Sequence, residues 1–273
     1  EEANLFNIHS DYACELLVSE TSQFIDRNPY PSLNINLGKI SKKKIKGLFD
    51  LVKKLNDLSP DIVVTHSSTD SWLVAIGSFF VSKQYKILRA RHVSAPIKAN
   101  LMTKWMYRKA EKVVTTSSAI KDHIEDVIGL AASDVISVPT GVDCAKYSPV
   151  SNEEKTVIRK KLGLSEDAFY LTMVSTLRSW KGHSYVLDAL NDVPNCHLLI
   201  VGDGPQEENL LKQVKSLSLD NRVSFLGFRK DIPDILRASD IFLQPSYANE
   251  GVSQSLLQAC ATGLPCVVGD ITG

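Results

Sequence analysis

Residues 170–201 read YLTMVSTLRSWKGHSYVLDALNDVPNCHLLIV, in which two short β-branched and aliphatic runs, Tyr170–Ser175 and His197–Val201, flank a polar turn and an amphipathic stretch. Strand-like runs alternating with helical patterns imply a parallel sheet flanked by helices. The alternation continues in both directions. Candidate strands upstream are Leu33–Leu37, Asp61–Thr65, Lys86–Ala90, Lys112–Thr116 and Val135–Val138, and downstream Val223–Leu226, Ile241–Gln244 and Pro265–Val268. One helical pattern begins after Ser41, where Ile45, Leu48, Phe49, Val52 and Leu55 recur at helical spacing; others cover Asp70–Ser82, Lys98–Lys109 and Glu207–Leu217. The pattern breaks at PTGVDCAKYSPV, where Gly141 and two prolines mark a linker. The expected fold is α/β, with two Rossmann-like domains facing each other over residues 1–143 and 144–273.

Composition fits this reading. A length of 273 residues, 44% apolar, suits two globular domains. The formal charge is zero, yet Lys42–Lys112 holds fifteen Lys or Arg against five Asp or Glu, a bias that points to an anionic surface or substrate. No nucleic-acid motif accompanies it, so no nucleic-acid partner is expected. Five cysteines without a Cys-x-x-Cys pair fit reduced thiols of a cytoplasmic protein, and Cys260 and Cys266 read as core residues. The longest apolar stretch, Trp72–Val81, is too short to span a membrane.

Residues 249–263, NEGVSQSLLQACATG, combine a carboxylate, a glycine and a helix whose polar residues Gly251, Gln254, Ser255, Gln258 and Thr262 share one sector, with Leu256, Leu257 and Cys260 opposite. The unpaired first amides and the macrodipole make the end near Gly251, Val252 and Ser253 a seat for an anion such as a diphosphate. Glu250 beside it suits sugar hydroxyls rather than phosphate. An ordinary solvated helix face fits the same residues.

Ligands of open α/β sheets bind beyond the carboxyl ends of the strands. His66 follows one candidate strand and His92 another, each readable as structural or functional. YLTMVS runs into TLRSWKGH, setting Arg178 and Lys181 three residues apart at a sheet edge, where two cations suit a diphosphate, although a solvated basic turn would look alike. GDGP, with Gly202 and Gly204, is either a close backbone approach to a ligand or a tight strand-to-helix turn. Glu207 occupies the third glycine position of a dinucleotide fingerprint, which disfavours a dehydrogenase. No Asp-x-Asp pair and no metal-ligand spacing occurs, so no metal or cofactor is expected. The absence of G-x-S-x-G argues against a serine hydrolase.

Taken in order, GVD at Gly141, R-x-x-KG at Arg178–Gly182, GDGP, FLGF, SDIFLQPS and EGVSQSLLQACATGLPCVV resemble the second domain of glycosyltransferase family 4, the retaining group 1 enzymes of the GT-B fold. VVTTSSAI, RHVSAP and THSSTDSW extend the resemblance back to about Asp61, toward bacterial enzymes that build lipopolysaccharide and other surface polysaccharides. The resemblance implies that Arg178 and Lys181 hold the diphosphate of a nucleoside diphosphate sugar, that Glu250 contacts the donor sugar, and that His92 approaches its reacting face. It implies that the backbone around Phe228 and Arg229 faces the nucleobase and that GDGP shapes the nucleotide pocket. It further implies transfer to an acceptor hydroxyl with retention, by a front-face route without a covalent enzyme intermediate. Gln258 stands where the family commonly has a second glutamate for the ribose hydroxyls, and as a neutral acceptor it puts donor preference in question. The family's first strand with its glycine-rich turn and its closing helix are not in the sequence, so a fragment is expected.

The basic first half also suggests a seat on the anionic inner face of the plasma membrane. Lys42, Lys43, Lys44, Lys46, Lys53 and Lys54 flank one apolar stripe, and Trp105, Met106 and Tyr107 lie among Lys104, Arg108 and Lys109. A lipid-linked or saccharide acceptor would meet the enzyme there. Competing readings are a GT-B sugar-nucleotide epimerase and a non-catalytic nucleotide-sugar-binding scaffold.

Overall fold

The computed structural model describes residues 13–19, 34–38, 45–92, 96–248 and 252–270. It forms two compact units. The first comprises Glu1–Arg91, Ile97–Thr115 and Lys121–Ser137; the second comprises His92–Pro96, Thr116–Ile120 and Val138–Gly273.

In the first unit β1 (Glu15–Ser19) pairs in parallel with β2 (Asn34–Gly38). A separate parallel sheet runs in the order β3 (Ile62–Thr65), β4 (Lys86–Arg91), β5 (Lys112–Thr115), β6 (Val135–Ser137). Four helices alternate with these strands: α1 (Ile45–Leu58), α2 (Ser68–Gly77), α3 (Leu101–Arg108) and α4 (Ser118–Ile128). Leu51 and Leu55 of α1, Leu73 and Val74 of α2 and Ile87 of β4 form the core on one face.

The second unit is a five-stranded parallel sheet. Its strands are β7 (Phe169–Val174), β8 (Cys196–Val201), β9 (Val223–Gly227), β10 (Ile241–Gln244) and β11 (Cys266–Val268). Across the sheet they lie in the order β9-β8-β7-β10-β11. The chain therefore builds outward from β7 on one side, returns, and builds outward on the other, which is the doubly wound arrangement with its reversal between β7 and β10. Helices α5 (Asn152–Lys161), α6 (His183–Ala189), α7 (Glu207–Ser216), α8 (Ile232–Ala238) and α9 (Gln254–Ala261) complete the unit. The unbroken apolar run of β8 is explained by burial on both faces: Leu198 and Ile200 enter a core with Leu187, Leu210 and Val214, while Leu199 and Val201 enter another with Tyr170 and Ile235.

Ten candidate strands of the sequence fall on observed strands, and β1 is additional. Helix ends moved for local reasons. The Ser67–Asp70 capping box starts α2 earlier than Asp70, and α2 stops at Gly77. Asn100 accepts the Thr103 N–H and delays α3 to Leu101.

Three expectations are corrected. Cys260 is exposed and Cys266 only half-buried, so neither is a core residue; the buried position between the helix faces is Ala259. Thr262 is buried rather than on the polar face, because α9 ends at Ala261 and helical periodicity no longer applies beyond it; its hydroxyl donates to the Ala259 carbonyl. Met106 and Tyr107 are buried, and the exposed apolar residues of α3 are Leu101 and Met102. Lys42, Lys43 and Lys44 lie outside the described residues.

Candidate functional site

Because a doubly wound sheet binds ligands at the carboxyl end of its switch point, the segments after β7 and β10 define the candidate site. After β7 the chain turns through Ser175–Leu177 into a single 3₁₀ turn, Ser179–Lys181, with Arg178 at its start. Arg178 is exposed, its guanidinium 5.7 Å from the centre of the Trp180 ring, and Lys181 is half-buried on the same turn. The segment after β10 is tied to this turn by the Tyr247 N–H, which donates to the Trp180 carbonyl at 3.0 Å.

Glycines hold the surrounding loops together. Gly182 has φ +77° and lies so close to the Pro245 carbonyl that a Cβ would stand 2.2 Å from its oxygen. At Gly202 a Cβ would be 2.1 Å from the Ser175 oxygen, and at Gly204 2.6 Å from that of Leu177. The Leu177 N–H donates to Asp203, and the Gly202 N–H to Gly227 at the end of β9. The two glycines of GDGP thus serve a close approach of one loop backbone to another. Phe228 is exposed just beyond β9. The Arg229 side chain is engaged by Asp231, Nε donating at 2.8 Å, and this pairing raises the arginine pKa and lowers that of the aspartate.

Ser253 caps α9: its hydroxyl accepts the Leu256 N–H at 3.3 Å and donates to Gln244 Oε1 at 2.6 Å. Val252, Ser253 and Gln258 are half-buried, and Gln254 donates to the Gly141 carbonyl of the expected linker. Glu250 and Gly251 lie outside the described residues. His66 and His92 are exposed immediately beyond the adjacent strands β3 and β4, His92 already belonging to the second unit.

Two residues near the second unit's loops were missed by sequence reasoning. His183, 2% exposed, hydrogen-bonds Ser175 Oγ through Nε2 at 3.3 Å. Burial, and secondarily the Lys181 charge, push its pKa down to about 4, so it is neutral at pH 7. Gln244 positions the cap of α9. His183 stood in the quoted TLRSWKGH, but only tertiary burial distinguishes it. Among the described residues no group of three His, Cys, Asp or Glu side chains is placed to hold a metal ion.

The second unit is a doubly wound, Rossmann-like sheet, and the chain as a whole matches solved structures of the GT-B fold. The structure of Anabaena HepE in complex with UDP and glucose matches with a TM-score of 0.82 at 23% identity, covering 100% of this chain and 77% of that one. WaaG, a glycosyltransferase involved in lipopolysaccharide biosynthesis, matches with a TM-score of 0.65 at 16% identity, covering 88% and 69%. The family model for glycosyl transferases group 1 matches residues 154–273, and that for Glycosyltransferase Family 4 matches residues 11–146. The chain belongs to glycosyltransferase family 4, group 1. An Escherichia coli protein named UDP-Gal:alpha-D-GlcNAc-diphosphoundecaprenol alpha-1,3-galactosyltransferase is 31% identical over 258 residues, which cover 89% of this chain and 66% of the relative. Mannosylfructose-phosphate synthase of Agrobacterium fabrum is 29% identical over 177 residues, covering 60% of this chain and 38% of that one. The chain thus spans two thirds or less of the length of these two relatives.

Proposed function

We propose that the protein transfers a sugar from a nucleoside diphosphate sugar to an acceptor hydroxyl, with retention at the anomeric carbon, in the assembly of a surface polysaccharide. The observation that carries this reading is the placement of Arg178 and Lys181 on one turn at the switch point of a doubly wound sheet, within a chain of this family. In this reading Arg178 and Lys181, with the first amides of α9 near Gly251, Val252 and Ser253, stabilise charge growing on the departing diphosphate without a metal. Gly202, Gly204 and the backbone at Phe228 and Arg229 shape the nucleotide pocket. Gln258 accepts from the ribose, Glu250 holds the donor sugar, and His92 approaches the reacting face.

The E. coli relative's name makes UDP-galactose and a sugar on diphosphoundecaprenol the first pair to assay. A thermal-shift screen of UDP, GDP and ADP sugars selects the donor, since a bound ligand raises the melting temperature by mass action. Lys181→Ala should abolish both the shift and transfer of labelled sugar while the protein stays folded. Isomerised donor without transferred sugar, or unaltered turnover in Lys181→Ala, overturns the reading.

The proposal includes a peripheral seat on the cytoplasmic face of the membrane. No helix among the described residues is long and apolar enough to cross a bilayer. Leu101 (87% exposed), Met102 (68%) and Phe80 stand out from the first unit. Nearby, the rings of Trp72 and Phe79 each lie 6.1 Å from that of Trp105, with Lys109 Nζ 4.3 Å from the centre of the Phe79 ring. Apolar tips set among lysines suit anionic headgroups. Flotation with vesicles containing phosphatidylglycerol should capture the protein at low salt, and Leu101→Asp with Met102→Asp should release it; equal capture by neutral vesicles ends the idea.

A further inference from the structure

Cys260 lies in the last turn of α9 and Cys266 opens β11, the outermost strand on its side of the sheet among the described residues, with their Sγ atoms 3.8 Å apart. Each is fixed by a different element. Cys260 rides on a helix capped by Ser253, whereas Cys266 sits in register beside Phe242 of β10, and its thiol donates to the Leu264 carbonyl at 3.3 Å. The five residues between them include Gly263 at φ +76°, which brings the chain round tightly enough for the two thiols to meet. Of the five free cysteines these two alone have a thiol–thiol contact among the described residues.

We infer that Cys260 and Cys266 form a dithiol site that a low-molecular-weight disulfide converts reversibly into an intramolecular disulfide, covalently joining α9 to β11. A disulfide needs sulfurs about 2.05 Å apart, so the sulfurs must close by under about 2 Å on oxidation. Cys260, exposed, attacks one sulfur of oxidised glutathione as the thiolate; the glutathione S–S bond breaks, one glutathione thiolate leaves, and a mixed disulfide remains on Cys260. Cys266, after giving up its proton to solvent, attacks the Cys260 sulfur and expels the second glutathione thiolate. Two protein thiols are oxidised and one glutathione disulfide is reduced to two thiols.

The order of the steps follows from the surroundings. Burial, then the charge and hydrogen bonding of Cys260, push the Cys266 thiol up to about 12, which leaves the exposed Cys260 to react first and Cys266 to resolve. Capping Cys260 removes that neighbouring charge and eases ionisation of the resolving thiol. The product ties the helix bearing Ser253 and Gln258 to the sheet edge, and its formation does not depend on the identity of the donor.

The test uses the full chain in glutathione buffers of increasing oxidised fraction, followed by iodoacetamide quenching and tryptic mass mapping. No Lys or Arg lies between Arg237 and Cys266, so the tryptic peptide that starts at Ala238 carries both thiols. It should lose two hydrogens and escape alkylation as the oxidised fraction rises, and dithiothreitol should restore it. Cys266→Ser should instead retain one glutathione on Cys260. Two freely alkylated thiols at full oxidation, a stable glutathione adduct in the unsubstituted chain, or a disulfide between two chains would each overturn the inference.

Discussion

Both units set parallel strands toward a row of loops, but they secure those loops differently. In the second unit Gly182, Gly202, Gly204 and Gly269 each sit where a Cβ would meet a carbonyl oxygen within 2.6 Å. In the first, Gly77 has only ordinary contacts and Gly129 has open space. Buried arginines repeat the contrast. Arg159, 6% exposed, lies over the Tyr170 ring and donates to the carbonyls of Ala238 and Glu166 and to Asp240 at 2.7 Å. Arg89, 4% exposed, lies over the Tyr107 ring, but its Nε and Nη1 have no hydrogen-bond partner among the described residues. The second unit satisfies its buried arginine internally and fixes these loops through backbone, which suits the proposed diphosphate seat, where donors must be held before the ligand arrives.

The largest expected effect breaks that lacing. Gly202→Ala drives a methyl into the Ser175 carbonyl at φ +125°, where neither side can yield, and should cost more than about 4 kcal/mol. Gly129→Ala, at φ +73° with nothing within 4 Å, should cost only about 1–2 kcal/mol. Urea unfolding, with hydrogen exchange to localise the loss, measures both; equal costs would show that the close approaches do not hold the loops.

Exchange of the two arginines sharpens the contrast. Arg159→Met removes four interactions and strips Asp240 of one cation, leaving it Lys155 and the Tyr170 N–H, for a loss of about 3 kcal/mol. Burial alone would raise the Asp240 pKa, but the Lys155 and Tyr170 hydrogen bonds and the two cationic charges outweigh it and hold the carboxyl below its usual range. Arg89→Met gives up a ring contact while relieving the desolvation of unpartnered N–H groups, and should change stability by under about 1 kcal/mol. Comparable losses in the two variants would mean that Arg89 is better satisfied than its geometry allows.

What the sequence disclosed follows the same division. HLLIV is legible because a strand covered on both faces must be apolar throughout, and R-x-x-KG with GDGP is legible because close backbone approaches demand glycine at fixed places. β1 was not, since ELLVS is five residues beginning with a glutamate and its partner β2 lies fifteen residues further on. The Cys260–Cys266 contact was hidden because both cysteines stand in apolar settings, one on a helix and one on a strand, and only the turn through Gly263 brings the thiols together. The neutrality of His183 was hidden because burial, a property of the assembled unit, produces it.

That neutrality gives the second unit a pH dependence. With a folded pKa of about 4 against an ordinary 6.5, His183 takes up a proton on unfolding between those values, so its contribution is complete above pH 6.5 and declines as pH falls toward 4. The decline should reach roughly 3 kcal/mol. His183→Gln should flatten the stability profile over that window and leave the carboxylate-driven loss at lower pH. A profile of unchanged slope would show that the imidazole is charged in the folded protein.

The smallest effect distinguishes a cap that only caps from one that also faces the proposed donor. Ser67 begins α2 and Ser253 begins α9, each accepting a backbone N–H within the first helical turn. Ser67→Ala and Ser253→Ala should each cost about 1 kcal/mol of stability. Only Ser253→Ala also frees Gln244 and alters the helix end at the switch point, so only it should reduce the thermal shift produced by a nucleoside diphosphate sugar. If the two variants lose stability equally and bind nucleotide equally, the first turn of α9 is structural, and the diphosphate is held by Arg178 and Lys181 without it.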